Sequence, residues 1–209
     1  MNPSKPLFLA FEGIDGSGKS THSRLLSEKL NQLHHKTYTT CEPTDSEIGQ
    51  LIRRILKGER KADHKTLAGL FVADRLDHIL DTEKGLLKQL NDGYHVITDR
   101  YYFSSYAYHS THMDMDWVIA ANSMSADLLR PTATIFVDVA PEICIERIQK
   151  SRANIELFET LDLLKAIRSN YLTAFEKLAG LENVVHIDGN RDMSVVADEI
   201  FAYVNTLLV

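Results

Sequence analysis

The sequence predicts an α/β protein: a three-layer α/β/α sandwich built on a five-stranded parallel sheet. Two observations lead to this fold class. Five short apolar segments, each as long as a buried strand, alternate with longer segments in which apolar residues recur at helical spacing. Strands that are apolar on both faces need helices above and below them, and helical crossovers between such strands make a parallel sheet.

The predicted strands follow one another along the chain at residues 7–11, 36–40, 95–98, 135–139 and 184–187. Each is short and apolar or rich in β-branched residues, as buried strands are. In parallel sheets ligands bind beyond the carboxyl ends of the strands. We therefore expect the functional residues to follow directly after these five segments.

Helical spacing marks the segments between the strands. Leucines at three- and four-residue intervals predict a helix after the first strand, and apolar residues from Leu67 to Leu90 predict one long helix before the third. Pro141 opens the helix after the fourth strand, where its missing N–H costs no hydrogen bond. Apolar residues between positions 195 and 208 predict a closing helix.

The composition describes one globular domain of 209 residues, without linkers or repeats. Its 23 Lys and Arg against 29 Asp and Glu give a net charge of −6, which argues against nucleic acid as a partner. No apolar stretch of about 18 residues and no signal peptide is evident, so we expect no membrane association. We expect a cytoplasmic protein whose two cysteines, Cys41 and Cys144, are buried small hydrophobes.

The most specific motif follows the first strand, where residues 13–20 match G-x-x-x-x-G-K-S/T at every fixed position. The glycines let backbone N–H groups cradle a polyphosphate, and the next helix adds its positive dipole end. Lys19 suits the β- and γ-phosphates, and the hydroxyl of Ser20 suits Mg²⁺. This motif predicts the P-loop NTP hydrolase or nucleotide kinase fold, with a donor-phosphate site formed by Gly13, Asp15, Gly16, Ser17, Gly18, Lys19, Ser20 and Thr21.

Asp99 and Arg100 follow the third predicted strand. An acidic residue at this point is typical of a magnesium site in phosphate-loop proteins, and the planar donors of Arg100 suit a phosphoryl group. Elsewhere an Asp-Arg pair is usually a surface ion pair, but its place after a buried strand favours the site. The chain lacks the guanine-specific Asn-Lys-x-Asp, and Asp99 is not followed by Glu, so transfer to a second substrate is favoured over hydrolysis.

Five motifs in the right order resemble the thymidylate (dTMP) kinase family over nearly the whole chain. They are residues 11–21, Glu42-Pro43-Thr44, residues 71–75, residues 99–108 and residues 156–159. The resemblance implies a phosphotransferase that moves the γ-phosphate of ATP to dTMP, giving dTDP and ADP, with Mg²⁺. It also implies a homodimer formed through helices that include the predicted long one.

The resemblance also implies which residues hold the acceptor. Phe71 would stack on thymine, and Arg75 would donate to a thymine oxygen, with Ser105 helping to recognise the base. Tyr108 would pack against the deoxyribose, and Asp15 would face the sugar near its 3′-hydroxyl. Arg100 would bridge the donor and acceptor phosphates, and further acceptor contacts would come from Glu42, Pro43 and Ser104.

For the donor nucleotide, the resemblance implies a short lid at residues 147–156. Members with Gly after the phosphate-loop acid, here Gly16, supply transition-state charge from this lid, so Lys150 or Arg152 is the candidate cation. Arg147 belongs to the expected ATP site, and Asn190 and Arg191 lie where the family holds adenine.

Three departures from the family pattern keep alternatives open. Cys41 stands where Arg is common, His109 stands where Gln is common, and Glu156-Leu157 replaces the usual Asp-Arg before the lid's Phe-Glu. The acceptor could thus be another nucleoside monophosphate or a nucleoside. A nucleotide-binding regulatory module without catalysis is the other alternative.

Overall fold

A computed structural model describes residues 5–151 and 160–208 of the chain. Its strands are β1 (Phe8–Glu12), β2 (Thr37–Cys41), β3 (His95–Asp99), β4 (Ala133–Asp138) and β5 (Val184–Asp188). They form one sheet in the order β2-β3-β1-β4-β5, and every neighbouring pair is parallel. Helices cover both faces, so the predicted three-layer fold is confirmed.

The helices of the described ranges are α1 (Lys19–Gln32), α2 (Glu47–Leu56), α3 (His64–Leu80), α4 (Leu86–Asn91), α5 (Tyr102–His109), α6 (Met115–Ala121), α7 (Ser123–Leu128), α8 (Pro141–Ser151), α9 (Leu161–Lys177) and α10 (Met193–Leu207). Among the helices, α5 packs closely against α9, α2 against α3 and α1 against α10. None of these helices combines the length and the apolarity that a bilayer crossing requires.

The core is centred on the inner strands of the sheet, whereas the edge strands β2 and β5, which the sequence pattern also predicted to be buried, are only partly buried. Every residue of β1 is buried, and the strand bounds differ from the predicted ones by at most two residues. Between β4 and the α5–α9 pair, the rings of Phe136, Phe103 and Phe175 pack together, with Phe175 centroids 4.9 and 4.8 Å from the other two. This packing holds α5, which follows the Asp99-Arg100 pair, against the sheet.

The single long helix predicted from Leu67 to Leu90 is wrong: the segment forms two helices, because Asp81 ends the first one. α3 ends at Leu80, and the Asp81 carboxylate accepts hydrogen bonds from the backbone N–H groups of Glu83 and Lys84, at 2.8 and 2.6 Å. An aspartate that binds nearby backbone donors favours a turn over a continuing helix. The chain therefore turns through residues 81–85 before α4 begins, which apolar spacing alone could not reveal.

The register brings three strand ends together at one edge of the sheet. Phe11 of β1 lies beside Asp99 of β3, and Asp99 in turn lies beside Cys41 of β2. The segments that follow these strands therefore share one edge, as the parallel topology predicts.

Two glycines offer a matched test of the packing near this edge. A Cβ atom at Gly49, in α2, would lie 2.0 Å from the carbonyl oxygen of Thr44, whereas one at Gly69, in α3, meets no described atom within 4 Å. We expect Gly49→Ala to lower the free energy of unfolding by about 2 kcal/mol, because the 42–44 loop must shift. Gly69→Ala should raise it by about 1 kcal/mol through helix propensity. Urea denaturation measures both, and shifts of the same sign would contradict the close approach.

Candidate active site

A cavity of about 850 Å³ runs along the carboxyl edge of the sheet. The phosphate loop lines one part of it, and Phe71 and the first turns of α5 line another. The predicted site residues that line it are Asp15, Gly16, Ser17, Gly18, Lys19, Ser20, Thr21, Glu42, Pro43, Phe71, Asp99, Arg100, Ser104, Ser105, Tyr108, Arg147 and Arg191.

The phosphate loop connects β1 to α1 and depends on two glycines for its close packing. Gly13 has a φ of 146° and Gly16 a φ of 80°, conformations that other residues rarely adopt. A Cβ atom at Gly13 would lie 2.7 Å from the carbonyl oxygen of Val137, and one at Gly16 would lie 2.6 Å from that of Cys144. Because both neighbours are backbone atoms, larger residues would push the loop away from β4 and α8.

Lys19 lies beneath this loop. Its ammonium group donates to the carbonyl oxygen of Ile14 at 2.9 Å, and the residue is buried. Burial, followed by the positive charge of Arg100, lowers the pKa of Lys19 below its usual value. An incoming phosphate supplies the opposite charge and further hydrogen bonds, so the site favours an anion.

Ser20 and Asp99 meet at the edge of the sheet and fit a magnesium ion. The Ser20 hydroxyl donates to Oδ2 of Asp99. Oδ1 of Asp99 is buried and has no hydrogen-bond partner among the described residues. A buried carboxylate oxygen that accepts no hydrogen bond, beside a serine hydroxyl, offers oxygen ligands of the kind that Mg²⁺ prefers.

Arg100 spans the space between the phosphate loop and α5. Its guanidinium donates to the hydroxyls of Ser104 and Tyr108, each at 3.0 Å, and to the carboxylate of Asp15. The Tyr108 hydroxyl in turn donates to the other oxygen of Asp15 at 2.9 Å. Arg100 has a φ of 75°, which places its side chain over the loop rather than along the line of β3.

The charges around Asp15 keep its carboxylate ionised. Burial by itself raises the pKa of Asp15, but the charges of Arg100 and Lys19 outweigh burial, and the pKa lies below its usual value. Asp15 is therefore a counter-ion that holds Arg100 in the middle of the cavity.

Glu42 and Arg75 form a buried ion pair at the other end of the cavity. Nε and one terminal nitrogen of Arg75 lie 2.8 and 2.6 Å from Oε2 of Glu42. The remaining donors reach Ser105, Asn122 and the carbonyl oxygen of Tyr101. Arg75 is 1% exposed and does not line the cavity. It thus reaches the cavity through Ser105, and its direct hydrogen bond to a base stays a prediction.

The part of the cavity wall in front of this pair carries two aromatic side chains. Phe71 of α3 and His109 of α5 have ring centroids 5.2 Å apart, and both line the cavity. Ser105 lies one helical turn before His109, so the two share a face of α5. An aromatic face beside two polar side chains suits a nucleobase.

The opposite end of the cavity offers cations and an apolar side chain. Arg147 donates to a carbonyl oxygen of the phosphate loop at 3.3 Å. Arg191 and Met193 line the cavity, whereas Asn190 does not. The side chain of Asn190 instead accepts a hydrogen bond from the backbone N–H of Ala140 at 2.9 Å, so it holds the β4–α8 turn.

The predicted lid lies partly within the described residues. Lys150 lies in α8, and its exposed ammonium group is 4.0 Å from the carboxylate of Glu146. It does not line the cavity. Arg152 and the rest of the predicted lid, apart from its α8 portion, lie outside the described residues.

Comparison with known proteins gives the relationship that this geometry suggests. The family model for thymidylate kinase matches residues 11–200. The thymidylate kinase of Leptospira interrogans is 34% identical over 199 residues, which cover 95% of this chain and 94% of the relative. The probable thymidylate kinase of Pyrococcus horikoshii is 38% identical over 192 residues, covering 89% and 91%. The chain belongs to the thymidylate kinase family.

Two departures from the thymidylate kinase family pattern, Cys41 and His109, line the cavity itself. Cys41 is only half-buried and lines the cavity, so the expectation that both cysteines are buried was wrong for this one. Its sulfur is 3.7 Å from the guanidinium of Arg53. Strand β2 ends at the cavity wall, which exposes the side chain there; Cys144, inside α8, is buried as expected.

Three further residues of this thymidylate kinase family member were missed by the sequence analysis. Glu12 is buried and accepts hydrogen bonds from the hydroxyls of Ser104 and Tyr171, at 2.6 and 2.8 Å. Arg53 of α2 lines the cavity, and its Nε has no hydrogen-bond partner among the described residues. Its position directly after the predicted first strand (7–11) could have drawn attention to Glu12, but no sequence signal marks Tyr171 or Arg53.

The environment of His109 predicts a measurable pH dependence of stability. Burial, followed by the charges of Arg75 and His64, lowers the pKa of His109 to about 3. The unfolded chain takes up this proton below its pKa of about 6.5, so the stabilising contribution is complete above that pH and is lost as the pH falls.

We expect the wild type to lose about 2 kcal/mol more stability between pH 7 and pH 5 than the His109→Gln variant. The other histidines are common to both proteins and cancel in the comparison. Urea denaturation at the two pH values measures the difference, and equal losses would show that His109 is protonated in the folded protein.

Proposed function

We propose that this protein is an ATP:dTMP phosphotransferase that produces dTDP and ADP. Membership of the thymidylate kinase family makes it a nucleoside monophosphate kinase. The observation that carries the proposal is that one cavity is lined by the phosphate loop, the Arg100 cluster and the Phe71, Ser105 and His109 side chains. A reaction between two nucleotides needs these three parts.

In this proposal ATP binds with its β- and γ-phosphates on the backbone of residues 13–20 and on Lys19. Arg147, Arg191 and Met193 form the part of the cavity available to adenosine. Asn190 contributes by holding the turn after β4. Ser20 and Asp99 hold Mg²⁺, which when bound neutralises phosphate charge.

The acceptor dTMP binds at the other end, with thymine against Phe71 and beside Ser105. Tyr108 packs on the sugar, and Asp15 faces the 3′-hydroxyl. Glu42, Pro43 and Arg75 support this wall. Arg53, a cation that lines the same part of the cavity, adds a donor for the acceptor phosphate.

Phosphoryl transfer then breaks the bond from the γ-phosphorus to the β–γ bridging oxygen and forms one to an oxygen of the dTMP phosphate. Positioning and charge neutralisation lower the barrier more than a general base does. Lys19 and Arg100 supply the charge, and a cation of the 147–156 lid, Lys150 or Arg152, completes it when the lid closes over the single domain.

Lys19→Ala tests the proposed transfer. We expect kcat to fall at least about 100-fold, because the variant lacks a cation that stabilises charge in the transition state. A coupled assay of ADP release measures it. Lys29→Ala, at an exposed position of the same helix, is the control and should leave kcat unchanged. Equal rates for the two variants would refute the proposed donor site.

One observation favours an acceptor other than dTMP. Cys41 and His109 both line the cavity, at positions where the family commonly has Arg and Gln. The wild type is therefore assayed with dTMP, dUMP, dGMP and thymidine. The highest kcat/KM for dTMP supports the proposed function, and preference for another member of the panel identifies that molecule as the acceptor.

We also propose that the protein is a cytoplasmic homodimer. Trp117 and Met124, in the adjoining helices α6 and α7, are 49% and 61% exposed, and α3 packs beside both helices. Large apolar side chains exposed together favour contact with a second copy.

Trp117→Glu should turn a dimer into a monomer, because it places a charge in an apolar interface. Sedimentation velocity measures the change. Leu181→Glu, at an exposed apolar residue before β5, is the matched control and should leave the sedimentation coefficient unchanged. A wild type that sediments as a monomer would refute the dimer.

A further inference from the structure

A chain of buried polar side chains runs behind the base pocket. His78 of α3 lies between Thr40 of β2 and Glu42, which follows that strand. Its Nε2 is 2.8 Å from the Thr40 hydroxyl, and its Nδ1 is 3.1 Å from Oε1 of Glu42. The side chains of His78 and Glu42 are 6% and 1% exposed, so bulk water does not compete for these hydrogen bonds.

Glu42 carries this chain to the cavity wall. Its second oxygen, Oε2, accepts from Nε of Arg75 at 2.8 Å, and Arg75 donates onward to the Ser105 hydroxyl at 3.0 Å. Glu42 and Ser105 line the cavity, whereas His78 and Arg75 lie behind it. Each carboxylate oxygen of Glu42 therefore has its own partner, Arg75 on one side and His78 on the other.

We propose that His78 is a positioning residue for the acceptor nucleotide, acting through Glu42 and Arg75 on the Ser105 hydroxyl. The terminal torsion of a glutamate is broad, so a bond to Oε2 alone leaves the carboxylate free to rotate. The hydrogen bond from His78 to Oε1 removes that freedom. The proposal rests on the proposed function, because Ser105 matters only if the pocket holds a base.

Thr40 explains why a histidine suits this position. The Glu42 carboxylate can only accept, so Nδ1, the ring atom that faces it, carries the proton, and in that tautomer Nε2 accepts from the Thr40 hydroxyl. Glu42 thus fixes the tautomer, and Thr40 fixes the orientation of the ring. This chain of hydrogen-bonded side chains begins at Thr40 in the sheet and ends at Ser105 beside the base site, so it connects β2, α3 and α5.

His78→Phe and His78→Asn separate positioning from packing. Phe keeps a ring of similar size and removes the donor, whereas Asn retains a donor near the place of Nδ1. We expect His78→Phe to raise the KM for dTMP about tenfold, equivalent to about 1.4 kcal/mol. The kcat and the KM for ATP should stay within about twofold of the wild-type values, because the part of the site that binds ATP is unchanged. His78→Asn should restore most of the affinity.

An unchanged KM for dTMP in folded His78→Phe, or an equal rise in the KM for ATP, would overturn the proposal. Thr40→Val and Thr39→Val provide a second, milder pair on β2, where Thr39 is exposed. Thr40→Val should raise the KM for dTMP about threefold, because it removes one neutral hydrogen bond, and Thr39→Val should leave it unchanged. If His78→Phe does not fold, this pair decides, and equal KM values overturn the proposal.

The substrate panel is run first, so that the two proposals fail separately. If the wild type prefers another acceptor, the proposed function is rejected, and the His78 and Thr40 variants are assayed with that acceptor. If dTMP is preferred but its KM is unchanged in the His78 and Thr40 variants, only the positioning role of His78 is rejected.

Discussion

The carboxylate of Glu12, at the end of β1, holds together the elements that form the site. It accepts hydrogen bonds from the backbone N–H groups of Tyr101 and Ser104 and from the hydroxyls of Ser104 and Tyr171. Burial raises the pKa of Glu12 above its usual value, so the carboxylate is stable there only with these donors in place. The start of α5 and the middle of α9 are therefore held at the end of the central strand.

The position of Arg100 follows from this clamp. Arg100 directly precedes Tyr101, so the bond from Tyr101 to Glu12 fixes where the Arg100 side chain leaves the backbone. Asp15 and Tyr108 then orient the guanidinium from the other side. A cation that the fold holds in place needs little reorganisation during a reaction, and in this way a rigid site favours phosphoryl transfer between two nucleotides.

The distribution of charge reconciles an acidic protein with two anionic substrates. The net charge is −6, yet cations gather in the cavity at Lys19, Arg53, Arg100, Arg147 and Arg191. The carboxylates that line the same cavity, Asp15, Glu42 and Asp99, are fewer. A small anion responds to the local field of such a cavity, whereas a long nucleic acid responds to the whole surface.

The sequence by itself determined the five strands, the phosphate loop and the Asp99-Arg100 pair, because their signals are local: apolar period, glycine spacing and position after a strand. Tertiary structure decided the partners of side chains that meet across the chain. Arg75 reaches Glu42 and Asn122, 33 and 47 residues away, and so lies behind the pocket wall. Asn190 binds the backbone N–H of Ala140 and does not line the cavity, whereas Cys41, predicted to be buried, lines it. Spacing along the chain carries no information on such contacts, since they depend on how distant elements pack.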